Sequence, residues 1–448
     1  MTKPIADLVV DLATGRTTSR VLVESCLARI EEKNSKAAAF ISVNASGARA
    51  TADAMDALRA SGMEPSPLAG IPVSVKDLFD VKGEVTTAGS VILKNASPAQ
   101  HDAPAIARLR EAGMVLMGRT NMSEFAFSGV GLNPHYGTPW NPADADNHRI
   151  PGGSSSGAAV SVATDMAAVG IGTDTGGSCR IPAAYCGIVG YKPSQYRVSR
   201  DNVYPLSKTL DSIGPLANTV DCCAVVDSIM ASTPIANETA ANVSHIRLAV
   251  PQTLVLDEMD PDVSAAFDHA LEQLSKAGVT IEEIAFEELS RIPKLNAGGG
   301  IPTVEAFSVH RENLASQDAL YDRRIAARIR QGERMMAADY FDILEARADL
   351  IETAARMTQP YDALILPTTP IVAPFLSDLD SDEDYQHFNR LSLRNTLIGN
   401  FLDRCSISIP CHRRGDLPVG LMLMGENGKD ADLFRVSRRI ESILDAVR

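Results

Sequence analysis

The chain has 448 residues, with 42 Lys and Arg against 56 Asp and Glu, a formal net charge of −14, and 45% hydrophobic and 22% charged residues. That mix suits a globular protein of one large domain or two to three ordinary ones, and the negative field disfavours a nucleic-acid backbone as a main partner. No run approaches the roughly 20 apolar residues of a membrane helix, the start MTKPIADLVVDLATG lacks the layout of a secretory leader, and the seven cysteines and eight histidines form no CxxC or HExxH pair, so the expectation is a reduced, cytoplasmic protein with no disulfide framework or metal site.

In chain order, the first predicted element is a helix over TTSRVLVESCLARIEEKN, where Leu22, Cys26 and Ile30 share one face. GIPVSVKDLFD (70–80) carries a β-branched run ending at Lys76 and predicts a buried strand. HDAPAIARLREAG predicts a helix with an Asp cap, Pro104 in its first turn and Gly113 as its stop. MVLMG follows as a strand, and NMSEFAF predicts another helix opened by an Asn121/Glu124 capping box. Beyond PGGSSSG (151–157), SGAAVSVATDM predicts a helix of small residues. AAVGIGTDTGGSCRIPAAYCGIVGYKPS then gives a strand, a glycine-rich loop, a short helix and a second strand. HIRLAV, VTIEEI, YDALILP and CSISIPC are further strand candidates. The closing helix sets Leu433, Val436, Ile440, Ile443 and Val447 on one stripe. Strands alternating with helices predict an α/β fold around a large mixed sheet. A boundary would fall best within 217–245, and one continuous domain fits equally.

Three segments carry chemistry. In GTDTGGSCR (172–180), Gly176 and Gly177 allow close backbone approach to a bound group, and Ser178 follows at the start of a short helix. Such a loop suits an oxyanion hole beside a serine nucleophile, or a phosphate; it is equally readable as a tight turn with no ligand. Lys76 closes a strand expected to be buried, where desolvation would lower its pKa and make it a base; the plainer reading is a snorkelling or ion-paired lysine. In PGGSSSG, Gly153 to Gly157 formally satisfies G-x-S-x-G, which would make Ser155 a nucleophile. That elbow needs a strand before it, and NPADADNHRIPGG reads as a loop. It also needs a partner histidine, and His245, His269, His310, His387 and His412 sit in no telling context.

Taken together, PGGSSSG, GTDTGGSCRIPAAYCGIVGYKPS, DSIGPLA (211–217), GIPVSVKD and GRTNMSEFA resemble the amidase signature family. Weaker echoes such as YDALILPTTP and LPVGLMLMG extend over most of the chain. The resemblance implies a single amidase signature domain over 1–448, with a signature core at about 65–220 and a region at about 245–448 that completes the sheet and pocket. Its fold would be a large mixed, mostly parallel twisted sheet sandwiched by helices. It further implies a Ser–cis-Ser–Lys triad: Ser178 as nucleophile, Ser154 as bridge and Lys76 as base. The backbone N–H groups of Thr175, Gly176, Gly177 and Ser178 would form the oxyanion hole, and Phe127, Ser128, Gly129 and Val130 would contact substrate. A hydroxyl can accept one hydrogen bond while donating another, so Ser154 can relay a proton from Ser178 to a neutral lysine.

Around that site, Ser155 and Ser156 are expected to cap the following helix, with one of them supporting the triad. Asp174 and Arg180 are expected to brace the nucleophile loop by charge pairing, and Cys179 and Trp140 to be structural. Met422 stands where the family commonly has glutamine, and Ser194 where threonine is common. RRIAARIRQGERMMAADY, within the variable 300–400 region, is basic and suits an acidic substrate, while a solvated helix face is the plainer reading. The activity this resemblance implies is hydrolysis of a small carboxylic amide through a serine acyl-enzyme, with no metal or organic cofactor. The alternatives are a glutaminase subunit of a tRNA-dependent amidotransferase, or an allophanate/biuret-type ureido hydrolase. The expected partner is a small-molecule amide, with neither nucleic acid nor membrane, and a homodimer is allowed.

Overall fold

The computed structural model describes residues 3–144, 146–235 and 240–447. Its strands are β1 (Phe40–Val43), β2 (Pro72–Lys76), β3 (Val115–Thr120), β4 (Val169–Asp174), β5 (Val189–Lys192) and β6 (Ser212–Ala217), followed by β7 (Arg247–Pro251), β8 (Thr280–Ile284), β9 (Ala363–Pro367), β10 (Ser406–Pro410) and β11 (Gly420–Met424). They form one sheet in the order β1-β3-β2-β4-β6-β5-β10-β11-β9-β7-β8.

Alternate strand positions feed two cores, one on each face, as a period of two requires. Val73 and Val75 of β2 pack on one face with Leu109 of the helix Pro104–Glu111 and Val226 of the helix Val220–Ala231. Val115 and Met117 of β3 pack on the other with Ile30 of the helix Ser19–Ala37 and Val162 of the helix Ser156–Ala163. This is the mixed, helix-flanked sheet expected from the sequence, with a different balance of pairings. β2 runs parallel to β3 and β4, and β7 to β8 and β9. The pairs β1–β3, β4–β6, β5–β6, β5–β10, β10–β11 and β9–β11 are antiparallel and prevail over the parallel ones. Connection length explains part of this: only residues 411–419 join β10 to β11, fewer than the dozen or so a parallel crossover needs.

The sequence reading passes over β1, β6 and β11 as strands. β1 is a four-residue strand at the sheet edge, β6 contains Gly214 and Pro215, and β11 is a Leu/Met run without β-branching. The helix expected from Asn121 is also absent. Residues Glu124–Ala126 make only a single 3₁₀ turn, with Phe125 and Ala126 at φ 50° and 60°. Tertiary partners take the side chains of the supposed capping box. Asn121 donates to the carbonyls of Ala38 (3.0 Å) and Gly137 (2.7 Å), and Glu124 accepts from Ser90 Oγ (2.6 Å) and the Asp322 N–H (2.7 Å). Of the suggested boundary at 217–245, residues 236–239 lie outside the described residues, and strands from both sides of it share the one sheet.

Candidate active site

Because β2 and β4 are parallel neighbours, with Val75 opposite Ile171, their carboxyl ends emerge together. Open α/β sheets characteristically bind ligands at such ends. β2 delivers Lys76 and β4 delivers Thr173 and Asp174, from which the 174–180 loop departs. Lys76 is fully buried. Its Nζ lies 2.7 Å from Ser154 Oγ, 3.0 Å from Ser155 Oγ and 2.8 Å from Thr173 Oγ1. Burial lowers its pKa to about 7, against the weaker opposing pull of Cys179 and Asp174.

The Gly153–Ser154 peptide is cis, as the triad motif implies. The Gly153 N–H donates to the Gly129 carbonyl (2.7 Å), and the Ser154 carbonyl accepts from the Ser123 N–H (3.2 Å). Ser155 heads the helix Ser156–Ala163 but makes no side-chain cap. Its hydroxyl donates instead to the Thr173 carbonyl (3.2 Å), so towards Lys76 it can only accept. The residue that G-x-S-x-G would choose is therefore a support for the lysine. Gly172 makes room for it, since a Cβ there would meet Ser155 Oγ at 2.7 Å.

The 174–180 loop is organised by a buried ion pair. Asp174 and Arg180 are both fully buried and meet at 2.9 Å. The Asp174 carboxylate also accepts from the N–H groups of Gly177 (2.9 Å) and Cys179 (3.0 Å) and from Asn400 Nδ2 (2.9 Å). Burial alone would raise its pKa, but the charge and hydrogen bonds of Arg180 hold it at about 2. Arg180 further donates to the Thr396 carbonyl (2.9 Å) and Asn400 Oδ1 (2.7 Å), and its Nη1 lies 3.2 Å from Met422 Sδ. The unusual Met422 thus faces the guanidinium that braces the loop. Cys179 is buried with its thiol pushed up by desolvation, in keeping with a packing role. Gly177 has φ 133°, and a Cβ there would sit 2.1 Å from Thr396 Oγ1. Gly177→Ala should therefore destabilise the fold by about 1–3 kcal/mol. A urea midpoint equal to that of the wild type would contradict this reading.

Ser178 lines a cavity of about 200 Å³ together with Phe127, Ser128, Thr175 and Gly176. The Ser155 N–H donates to the Ser178 carbonyl (3.2 Å), tying the serine-rich stretch to the 174–180 loop. Of the four residues expected to contact substrate, Phe127 and Ser128 line this cavity. Gly129 and Val130 stand behind it. The Gly129 N–H donates to Asn389 Oδ1 (2.8 Å), and Val130 is fully buried in a separate apolar cluster. Among the expected oxyanion donors, the Gly177 N–H serves the Asp174 carboxylate, which corrects its place in that set. The 300–400 region supplies Pro302, Arg328, Gln331, Leu393 and Leu397 to the wall. The sequence reading sets Arg328 in a basic segment with two readings, an acidic-substrate contact or a solvated face, and prefers the solvated face. A signal was available, since Arg328 falls on the stripe of Ile325 and Ile329, both buried. A larger cavity of about 460 Å³ lies beyond Leu206, which lines both, and touches Thr173 and Asp211. Burial raises Asp211 to about 6 despite the hydrogen bond it accepts from Thr175 Oγ1 (2.5 Å).

Comparison with known proteins matches residues 21–434 to the family described as Amidase. The chain is 32% identical over 445 residues to the 2-amino-5-chloromuconic acid deaminase of Comamonas testosteroni, covering 98% of this chain and 96% of that protein. It is 34% identical over 471 residues to a glutamyl-tRNA(Gln) amidotransferase subunit of Roseiflexus castenholzii, covering 97% and 94%. A solved amidase structure superposes with a TM-score of 0.90 at 31% identity, covering 99% of this chain and all of that one. With the signature motifs, the mixed sheet and the serine–lysine cluster at its strand ends, the chain belongs to the amidase signature family and is a serine amide hydrolase acting on carbon–nitrogen bonds other than peptide bonds.

Proposed function

We propose that Ser178 is the nucleophile, Ser154 the proton relay and Lys76 the base, and that residues 1–448 act as one catalytic unit on a small amide. The observation that carries this is the hydrogen-bond count at Lys76. A neutral amine has two N–H groups and one lone pair. Ser155 can only accept, because its proton is committed to the Thr173 carbonyl. If Thr173 takes the second N–H, the lone pair remains for the Ser154 hydroxyl at 2.7 Å. The base then stands ready at the bridging serine, with a pKa of about 7 that leaves a large neutral fraction near neutrality.

In the reaction, Ser178 Oγ attacks the amide carbon as its proton passes to Ser154 and the Ser154 proton passes to Lys76. The backbone N–H groups of Thr175, Gly176 and Ser178 are the donors proposed for the oxyanion; Gly177 serves them indirectly by fixing the loop to Asp174. The same relay returns a proton to the nitrogen, the C–N bond breaks, and ammonia or amine leaves an acyl-serine. Water then loses a proton through Ser154 to Lys76 and attacks the ester, releasing the acid and restoring Ser178.

A fluorophosphonate probe followed by peptide mass spectrometry tests the assignment: one adduct, on Ser178, is the expected result. An adduct on Ser155, or none on wild-type protein that hydrolyses amides, would overturn it.

A further inference from the structure

The wall of the Ser178 cavity holds a cation and no counter-charge. Arg328 is half-buried, and its guanidinium lies 4.4 Å from the centre of the Phe127 ring while Nη1 donates to the Phe127 carbonyl (3.1 Å). Among the described residues no carboxylate forms an ion pair with it, although the other arginines of its helix, Arg323–Arg330, are paired: Arg323 and Arg324 with Asp382 and Arg330 with Asp318. No Asp or Glu among the described residues lines the cavity; its other polar side chains, Ser128, Thr175, Ser178, Asn296 and Gln331, are uncharged. Leu393 and Leu397 give the wall an apolar stretch beside Gly176. A guanidinium has five N–H donors in a planar fork, of which the Phe127 carbonyl takes one. A desolvated cation without a partner is costly, and an anionic ligand is what would complete it. The volume of about 200 Å³ is below the roughly 300–1,000 Å³ of drug-sized sites, so that ligand is small.

We infer that the acyl group of the substrate carries a carboxylate held by Arg328 and carries no ammonium, so that the enzyme acts on monoamides of short dicarboxylic acids and discriminates against the amides of free amino acids. A charge-assisted pair with the guanidinium favours the first class. An α-ammonium would enter a cavity that already holds a positive charge and offers no carboxylate, which disfavours the second. The inference rests on Ser178 being the nucleophile of this cavity, and it separates this chain from a glutaminase subunit, whose substrate bears that ammonium.

The test compares kcat/KM for succinamate, pentanamide and glutamine in the wild type, Arg328→Met and Arg328→Lys. Wild type should prefer succinamate over both others by about 10- to 100-fold, the range of a hydrogen-bonded charge pair. In Arg328→Met the ratio of succinamate to pentanamide should fall towards one whatever the absolute rates, with Arg328→Lys intermediate. A wild-type preference for glutamine or pentanamide, or a ratio that survives Arg328→Met, would overturn the inference. Calorimetric binding of succinamate to Ser178→Ala protein, with and without Arg328→Met, isolates the anion site from the chemistry. Binding that depends on Arg328 in a protein whose Ser178 takes no fluorophosphonate would retain the anion site and remove the nucleophile assignment.

Discussion

Replacing Ser178 with alanine is expected to abolish turnover, and replacing Lys76 with methionine to lower kcat by roughly 10²–10⁴-fold, the usual weight of a general base. Alanine at 178 leaves no hydroxyl to form the acyl-enzyme, and methionine at the fully buried position 76 leaves no amine to accept the proton that Ser154 relays. The pH profile makes the assignment specific. Burial lowers the Lys76 pKa to about 7, and only its neutral form can take a proton. In the wild type kcat/KM should therefore rise with pH through about 7 and level off above it, and in Lys76→Met that inflection should vanish. A wild-type profile that is flat between about pH 5 and 9, or a Lys76→Met variant with the wild-type inflection, would assign the proton transfer elsewhere.

The second large effect concerns stability. Asp174→Ala leaves Arg180 fully buried without its carboxylate and releases the N–H groups of Gly177 and Cys179. Breaking a buried pair on one side typically costs about 3–5 kcal/mol, because the surviving charge is left uncompensated. The double variant Asp174→Ala/Arg180→Leu should regain part of that loss by removing the orphaned charge. Denaturant midpoints for the single and double variants check this, and a double variant less stable than the sum of the two single effects would refute the pairing account. The native pKa of Asp174, about 2, lies below its ordinary value of 3.8. Its contribution is thus fully present above about pH 4 and is lost as pH falls through about 2. The Asp174→Ala variant should lack that part of the acid transition.

Much of the site was legible because its parts are local. A Lys at the end of an apolar run, a serine run between glycines and a Gly-Gly-Ser turn before a short helix are each written within about ten residues. Asp174 and Arg180 are six positions apart, so their pairing was also within reach of the sequence. The capping box at Asn121 and Glu124 shows the opposite case. Its local pattern is sound, but the carbonyls of Ala38 and Gly137 and the N–H of Asp322 outcompete the helix for the same side chains. Similarly, Gly129 and Val130 belong to the right loop, yet the Asn389 side chain and an apolar cluster draw them behind the wall.

The amino-acid sequence alone determined the kind of chemistry, amide hydrolysis, because the residues proposed as nucleophile, relay and base are set by residue type within short glycine-bounded motifs. What the cavity recognises was decided by the tertiary structure. Phe127, Ser178, Arg328 and Leu393 meet only because the sheet order brings β2 and β4 side by side and the 300–400 helices pack across their ends. Whether an arginine is a solvated surface charge or an unmatched cation on a cavity wall depends on which neighbours share its space, and the Phe127 carbonyl that Arg328 meets lies 201 positions away in the chain.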